Sequence, residues 1–145
     1  MLIRFVTIAV VTICATAALA HVGVKNGAVM ERMHNMKDSA QALSVLGKMD
    51  KGQHVFDADK AAEAKRTLES LSARVPALFE ALETDPLMEA RPVLWDEWEA
   101  FVARSAAMDK AIAALDVSSK DALRPGLRSV ARACSACHED YRAKK

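Results

Sequence analysis

From residue 21 onward, the apolar side chains of this 145-residue chain recur at intervals of three and four, and nowhere do they alternate with polar ones over the length of a strand. Ile112 is the only isoleucine in that stretch and alanine is abundant, a composition that favours helix over sheet. Residues 23–49 place Val29, Met33, Met36, Ala40, Leu43 and Gly47 on one predicted stripe, and Asp50-Lys51-Gly52 ends it. A second helix is expected to open with Asp57 as N-cap and to run through Ala61, Ala64, Leu68 and Leu71. Pro76 should break it near Arg74-Val75, before a short turn through Leu78, Phe79 and Leu82. A third helix is predicted from Pro92 to about Asp116, with Leu94, Trp98, Phe101, Ser105, Met108, Ile112 and Leu115 inward. Ser118 or Ser119 caps the fourth, whose stripe from Leu127 reads Val130, Ala131, Cys134, Cys137, His138 and Tyr141. Four such amphipathic helices with short connections bury their stripes only against each other, so the expected fold is all-α, an antiparallel four-helix bundle.

The first twenty residues stand apart. MLIRFVTIAVVTICATAALA sets one charge, Arg4, ahead of a long apolar run ending in Ala18-Leu19-Ala20. That is the pattern of a cleaved secretory signal. Residues 1–20 are read as a signal peptide and 21–145 as one periplasmic domain beginning at His21. Cys14 follows Ile13, where a lipoprotein site wants a small residue, so it is expected to leave with the signal. Loss of Arg4 takes the formal charge from +1 to zero. Charges along the chain alternate in sign, so no nucleic-acid partner is expected, and no later run of about twenty apolar residues predicts a membrane span.

Only Cys134 and Cys137 then remain, in Cys134-Ser135-Ala136-Cys137-His138. C-x-x-C-H is the attachment pattern of haem c: two thiols add to the porphyrin vinyl groups and the next imidazole coordinates iron. Positions i, i+3 and i+4 leave one helix face and can meet one flat macrocycle. Zinc would need further ligands from His21, His34 or His54, none in a paired spacing, and a thioredoxin-like pair would follow a strand that is not visible here. For the sixth position of iron, the candidates are a methionine sulfur or a second imidazole. Met33 and Met36 share the first helix's stripe, and periodicity does not choose between them. His34 is read as a surface residue off that stripe, and a haem-free binding module is the reading if the motif is fortuitous.

A C-x-x-C-H motif on the last of four helices, close to the C-terminus, resembles the cytochrome c′ family, the class II c-type cytochromes. Arg32-Met33-His34-Asn35-Met36 is similar to the family's first-helix arginine followed four residues later by the residue over the distal haem face. Arg91-Pro92-Val93-Leu94-Trp95 and His138-Glu139-Asp140-Tyr141-Arg142 resemble its third-helix opening and its C-terminal signature. The resemblance implies one covalent haem c on Cys134 and Cys137, with His138 and Met36 as iron ligands, as in the low-spin branch. It places Arg32 near a propionate, where the alternative is an ordinary exposed arginine. Arg142 would stand beside the proximal ligand or fray with the tail, and Trp95 and Trp98 would press on the haem edge or fill the core. The implied activity is one-electron carriage between redox partner proteins, without enzymatic turnover. The alternative is a five-coordinate protein binding nitric oxide or carbon monoxide. Many relatives dimerise, so a second copy is a further expected partner.

Overall fold

The computed structural model describes residues 23–144, so the expected signal peptide, His21 and Cys14 lie outside the described residues. Six helices follow in order: α1 (Gly27–Asp50), α2 (Ala58–Ala73), α3 (Val75–Glu80), α4 (Val93–Asp96), α5 (Trp98–Ala113) and α6 (Lys120–Tyr141). The four long ones, α1, α2, α5 and α6, form the bundle, each packing on two neighbours: α1 on α2 and α6, α5 on α2 and α6. Among the described residues there is no strand; the one β-type pairing is an isolated bridge between Ala90 and Arg142.

Local chemistry sets the helix ends. The side chains of Asn26, Asp57 and Ser119 accept from Val29, Lys60 and Ala122 respectively, satisfying first-turn amides. The expected break at Arg74-Val75 is where α2 stops and α3 starts, with Pro76 in the first turn of α3. The third expected helix is instead two, because Glu97 adopts φ −111° and ψ 37° and separates the single turn of α4 from α5. That corner lets Leu94 and Phe101 enter the same cluster from different directions.

Pro125-Gly126 leaves α6 unbroken. A Cβ at position 126 would lie 2.5 Å from Leu115 Cδ1 and 3.2 Å from Leu115 Cα, so glycine here is what lets α6 approach the end of α5. The proline before it stands near the helix start, and Ser129 Oγ donates to its carbonyl at 3.2 Å.

The buried face of α1 differs from the expected stripe. Its deepest residues are Val29, Arg32, Asn35, Ala42, Leu46 and Met49, while Met33, Met36, Leu43 and Gly47 are half-buried and Ala40 is exposed. Hydrophobic spacing misplaces the face by about one position because a buried arginine and asparagine carry no apolar signal.

The core divides into two apolar clusters. One, toward the α1 C-terminus, gathers Leu46, Met49, Leu68, Ile112, Leu115, Leu123 and Val130. The other gathers Val75, Phe79, Leu94, Phe101 and Tyr141, with Phe101 in ring contact with Phe79, Trp98 and Tyr141. Buried Asn35, Ser72 and Ser105 belong to neither. Ser72 donates to the Asp109 carboxylate, and Asn35 Nδ2 donates to the Leu71 carbonyl at 3.1 Å, which ties α2 to α5 and α1.

Candidate haem site

The last two turns of α6 carry the motif. Cys134 borders the first apolar cluster and Cys137 the second, both half-buried and both free thiols. Burial pushes the Cys134 thiol up; burial and the neighbouring Cys134 and Asp140 push Cys137 up to about 11, against the opposing field of Arg104. The protonated thiol is thus favoured at both positions, whereas thiol–disulfide catalysis calls for a depressed thiol pKa. Met108 of α5 borders both clusters and brings its Sδ within 3.8 Å of Cys134 Sγ. Its proximity to the motif was not signalled by its place on the α5 stripe, which reads equally well as core filler.

His138 follows on the exposed side of the same helix. Although the residue is exposed, partial desolvation of its ring and the Arg142 cation lower its pKa, with Glu89 acting the other way, which favours the neutral imidazole that a metal requires. Arg142 does not fray. Its Nη2 and Nε lie 2.6 and 2.8 Å from Glu89 Oε2, and the backbone around it pairs with residues 89–91 through Arg91 N to Tyr141 O and Ala143 N to Glu89 O. Arg91 Nη1 donates to the Asp140 carbonyl at 2.6 Å, and Arg104 pairs with the Asp140 carboxylate at 2.9 Å. The chain end carrying His138 is therefore held from both α5 and the segment before α4.

Across the bundle, α1 is a direct neighbour of α6. Met36 packs against the cluster that Cys137 also borders, whereas Met33 belongs to neither cluster. Arg32 is not an exposed arginine: it is 3% accessible, and Nε, Nη2 and Nη1 donate to the carbonyls of Leu78, Ala81 and Glu83, each at 2.7 Å. Its guanidinium stacks 5.0 Å from the Phe79 ring and 5.4 Å from Trp95. Trp95 Nε1 donates to the Phe79 carbonyl at 2.8 Å, so this indole is core and latch together, and Trp98 stacks on Phe101. His34 and His54 are exposed.

The residues present fit a haem. Two buried oxygens, Asn35 Oδ1 and Ser105 Oγ, have no hydrogen-bond partner among the described residues, so each has room for one from a bound group. The donor set, two protected thiols, an imidazole and thioethers along an apolar seam, suits iron porphyrin and not a hard cation. Among the described residues no three His, Cys, Asp or Glu side chains converge as a metal cage, and no helix is long and apolar enough to cross a membrane.

A helical bundle presenting C-x-x-C-H from its last helix defines a c-type haem protein of the four-helix class. The sequence profile of cytochrome c′ matches residues 27–142. Cytochrome c-556 of Agrobacterium tumefaciens is 30% identical over 122 residues, covering 82% of this chain and 99% of that protein. The solved cytochrome c′ of Rhodobacter sphaeroides superposes with a TM-score of 0.75 at 26% identity, over 81% of this chain and 96% of the other. A ferrous variant of cytochrome c prime from Alcaligenes xylosoxidans with bound nitric oxide gives 0.72 at 30%, over 81% and 94%. The chain belongs to the cytochrome c′ family, whose members carry covalently bound haem c.

Proposed function

We propose that this chain is a periplasmic electron carrier, exported by a signal peptide at residues 1–20, that binds one haem c through Cys134 and Cys137 and ligates its iron with His138 and Met36. Bound haem supplies a one-electron iron couple. The protein's part would be to hold His138 and Met36 in place, since an iron that retained both would reorganise little between oxidation states. A thioether is a soft donor that favours ferrous iron and raises the potential. Arg142, held by Glu89, favours the neutral imidazole of His138, and Arg32 has a second N–H on each of Nη1 and Nη2 with which to meet a propionate. Redox proteins are the partners in this reading. A second copy of the chain as partner is carried over from the family resemblance.

The observation that supports Met36 is its packing on the cluster that Cys137 borders, on a helix adjacent to α6, with Met33 outside both clusters. Met108 lies against the Cys134 sulfur itself, which suits a group lining the attachment side and not one closing the opposite face. Spectra of the holoprotein test the assignment. Met36→Ala should turn a low-spin ferric spectrum high-spin and open the iron to carbon monoxide, while Met33→Ala and Met108→Ala leave the methionine-sulfur charge-transfer band in place.

The nitric oxide bound to the similar Alcaligenes protein favours a second reading, in which Met36 only packs and the iron is five-coordinate and binds nitric oxide or carbon monoxide. A wild-type ferric protein with high-spin paramagnetic resonance and no methionine band would select it.

A further inference from the structure

Between positions 122 and 138, α6 carries Arg124, Arg128 and Arg132 and no acidic residue. All three are exposed, and a spacing of four sets them along one face of the helix at about 6 Å intervals. Arg124 is partly neutralised by Asp50 at 3.0 Å. Arg132 reaches only Ser129 Oγ, at 3.2 Å, and neither it nor Arg128 joins an ion pair among the described residues. Alternating charge along the chain is thus not what this face displays. The face continues through exposed Ala131 and Ser135 to the turn bearing Cys134 and Cys137, and Arg128 lies about 9 Å along the axis from Cys134. Asp121 bounds the stripe at one end; Glu139 and the Arg104-paired Asp140 bound it at the other.

We propose that the Arg124–Arg128–Arg132 face of α6 is the docking surface for an acidic face of a redox partner protein, an inference that rests on the electron-carrier reading above. Guanidinium groups pair with carboxylates in fork geometry, and unpaired arginines on a rigid helix give long-range attraction together with a fixed orientation. An anionic lipid surface is the poorer fit: recognition there uses about four to eight basic residues or apolar side chains that insert, and this face offers three arginines separated by alanine and serine.

The test follows electron transfer from the reduced holoprotein to two small inorganic oxidants of opposite charge, hexacyanoferrate(III) and tris(phenanthroline)cobalt(III). Salt is raised from about 10 mM to about 1 M, which shortens the screening length from about 30 to about 3 Å. With wild type, the rate to the anionic oxidant should fall roughly tenfold across that range. R128E/R132E should slow that reaction about tenfold at low salt and remove its salt dependence, with visible spectrum and reduction potential unchanged. R66E, which inverts an exposed charge on non-adjacent α2, should stay within about twofold of wild type. Equal slowing by R66E and R128E/R132E would mean that net charge alone governs the rate, and overturns the proposal. So would loss of binding to phosphatidylglycerol vesicles in R128E/R132E with rates unaltered, which would assign the face to a membrane. A holoprotein that passes electrons to neither oxidant refutes the carrier reading itself; one that passes them to both without regard to charge refutes only the docking face.

Discussion

Arg32 Nε donates to the carbonyl of Leu78 at 2.7 Å, joining the turn of α1 that precedes Met36 to the end of α3. With Ala81 and Glu83 accepting from the two other nitrogens, one guanidinium gathers a carbonyl from α3 and two from the irregular segment that follows it. Burial pulls the Arg32 pKa down and Glu83 opposes it. The turn of α1 before Met36 is thereby tied to the 78–83 segment through backbone carbonyls.

Arg32→Lys keeps the charge but loses the planar fork that reaches three separate, part-buried carbonyls at once. Equilibrium urea unfolding should show a loss of about 2–4 kcal/mol. A loss under about 0.5 kcal/mol would place the anchoring of the 78–83 segment elsewhere.

Gly126→Ala forces a methyl onto Leu115, including its backbone. Although alanine is the better helix former by about 1 kcal/mol, overpacking should dominate and destabilise by about 1–3 kcal/mol, seen as a lower thermal midpoint. Gly126→Ala combined with Leu115→Ala should recover part of the α5–α6 approach.

Burial raises the Asp109 carboxyl above its ordinary 3.8. A folded-state pKa above the unfolded value means that the ionised form is penalised in the fold. Asp109 therefore costs stability at pH above the folded value, and that cost is relieved as pH falls through the folded value toward 3.8. Asp109→Asn should be more stable than wild type near neutrality and lose the advantage on acidification through that window, as read from chemical unfolding at stepped pH. A wild-type lead that widens toward neutral pH would reverse the sign argued here.

Arg142→Ala removes the Glu89 pair. Both partners are roughly two-fifths exposed, so global stability should change by no more than about 1 kcal/mol. Hydrogen exchange at the amides of Arg91 and Ala143 should nonetheless accelerate, because those bonds hold the chain end beside His138.

The helices at 27–50, 58–73 and 120–141 were legible because period, caps and Pro76 act within a few residues of one another. So was the placing of Cys134, Cys137 and His138 on the last helix. The break at Glu97 was not: no proline or glycine marks it, and the corner exists because Leu94 and Phe101 reach one cluster. The inward turn of Arg32 and Asn35 was equally hidden, since their burial depends on acceptors at Leu78, Ala81, Glu83 and Leu71, far along the chain. Met108's approach to Cys134 is a meeting of two helices that neither stripe encodes alone.

Sequence by itself determined that this chain would be helical and that a C-x-x-C-H motif would lie on its last helix, because helix periodicity and motif spacing are short-range properties. Only the tertiary structure decided which face of α1 turns inward, which methionine shares a cluster with Cys137, and that Gly126 lets α6 close on Leu115. Those outcomes depend on partners tens of residues away, and a buried polar group becomes tolerable only once the fold has brought its hydrogen-bond acceptors to it.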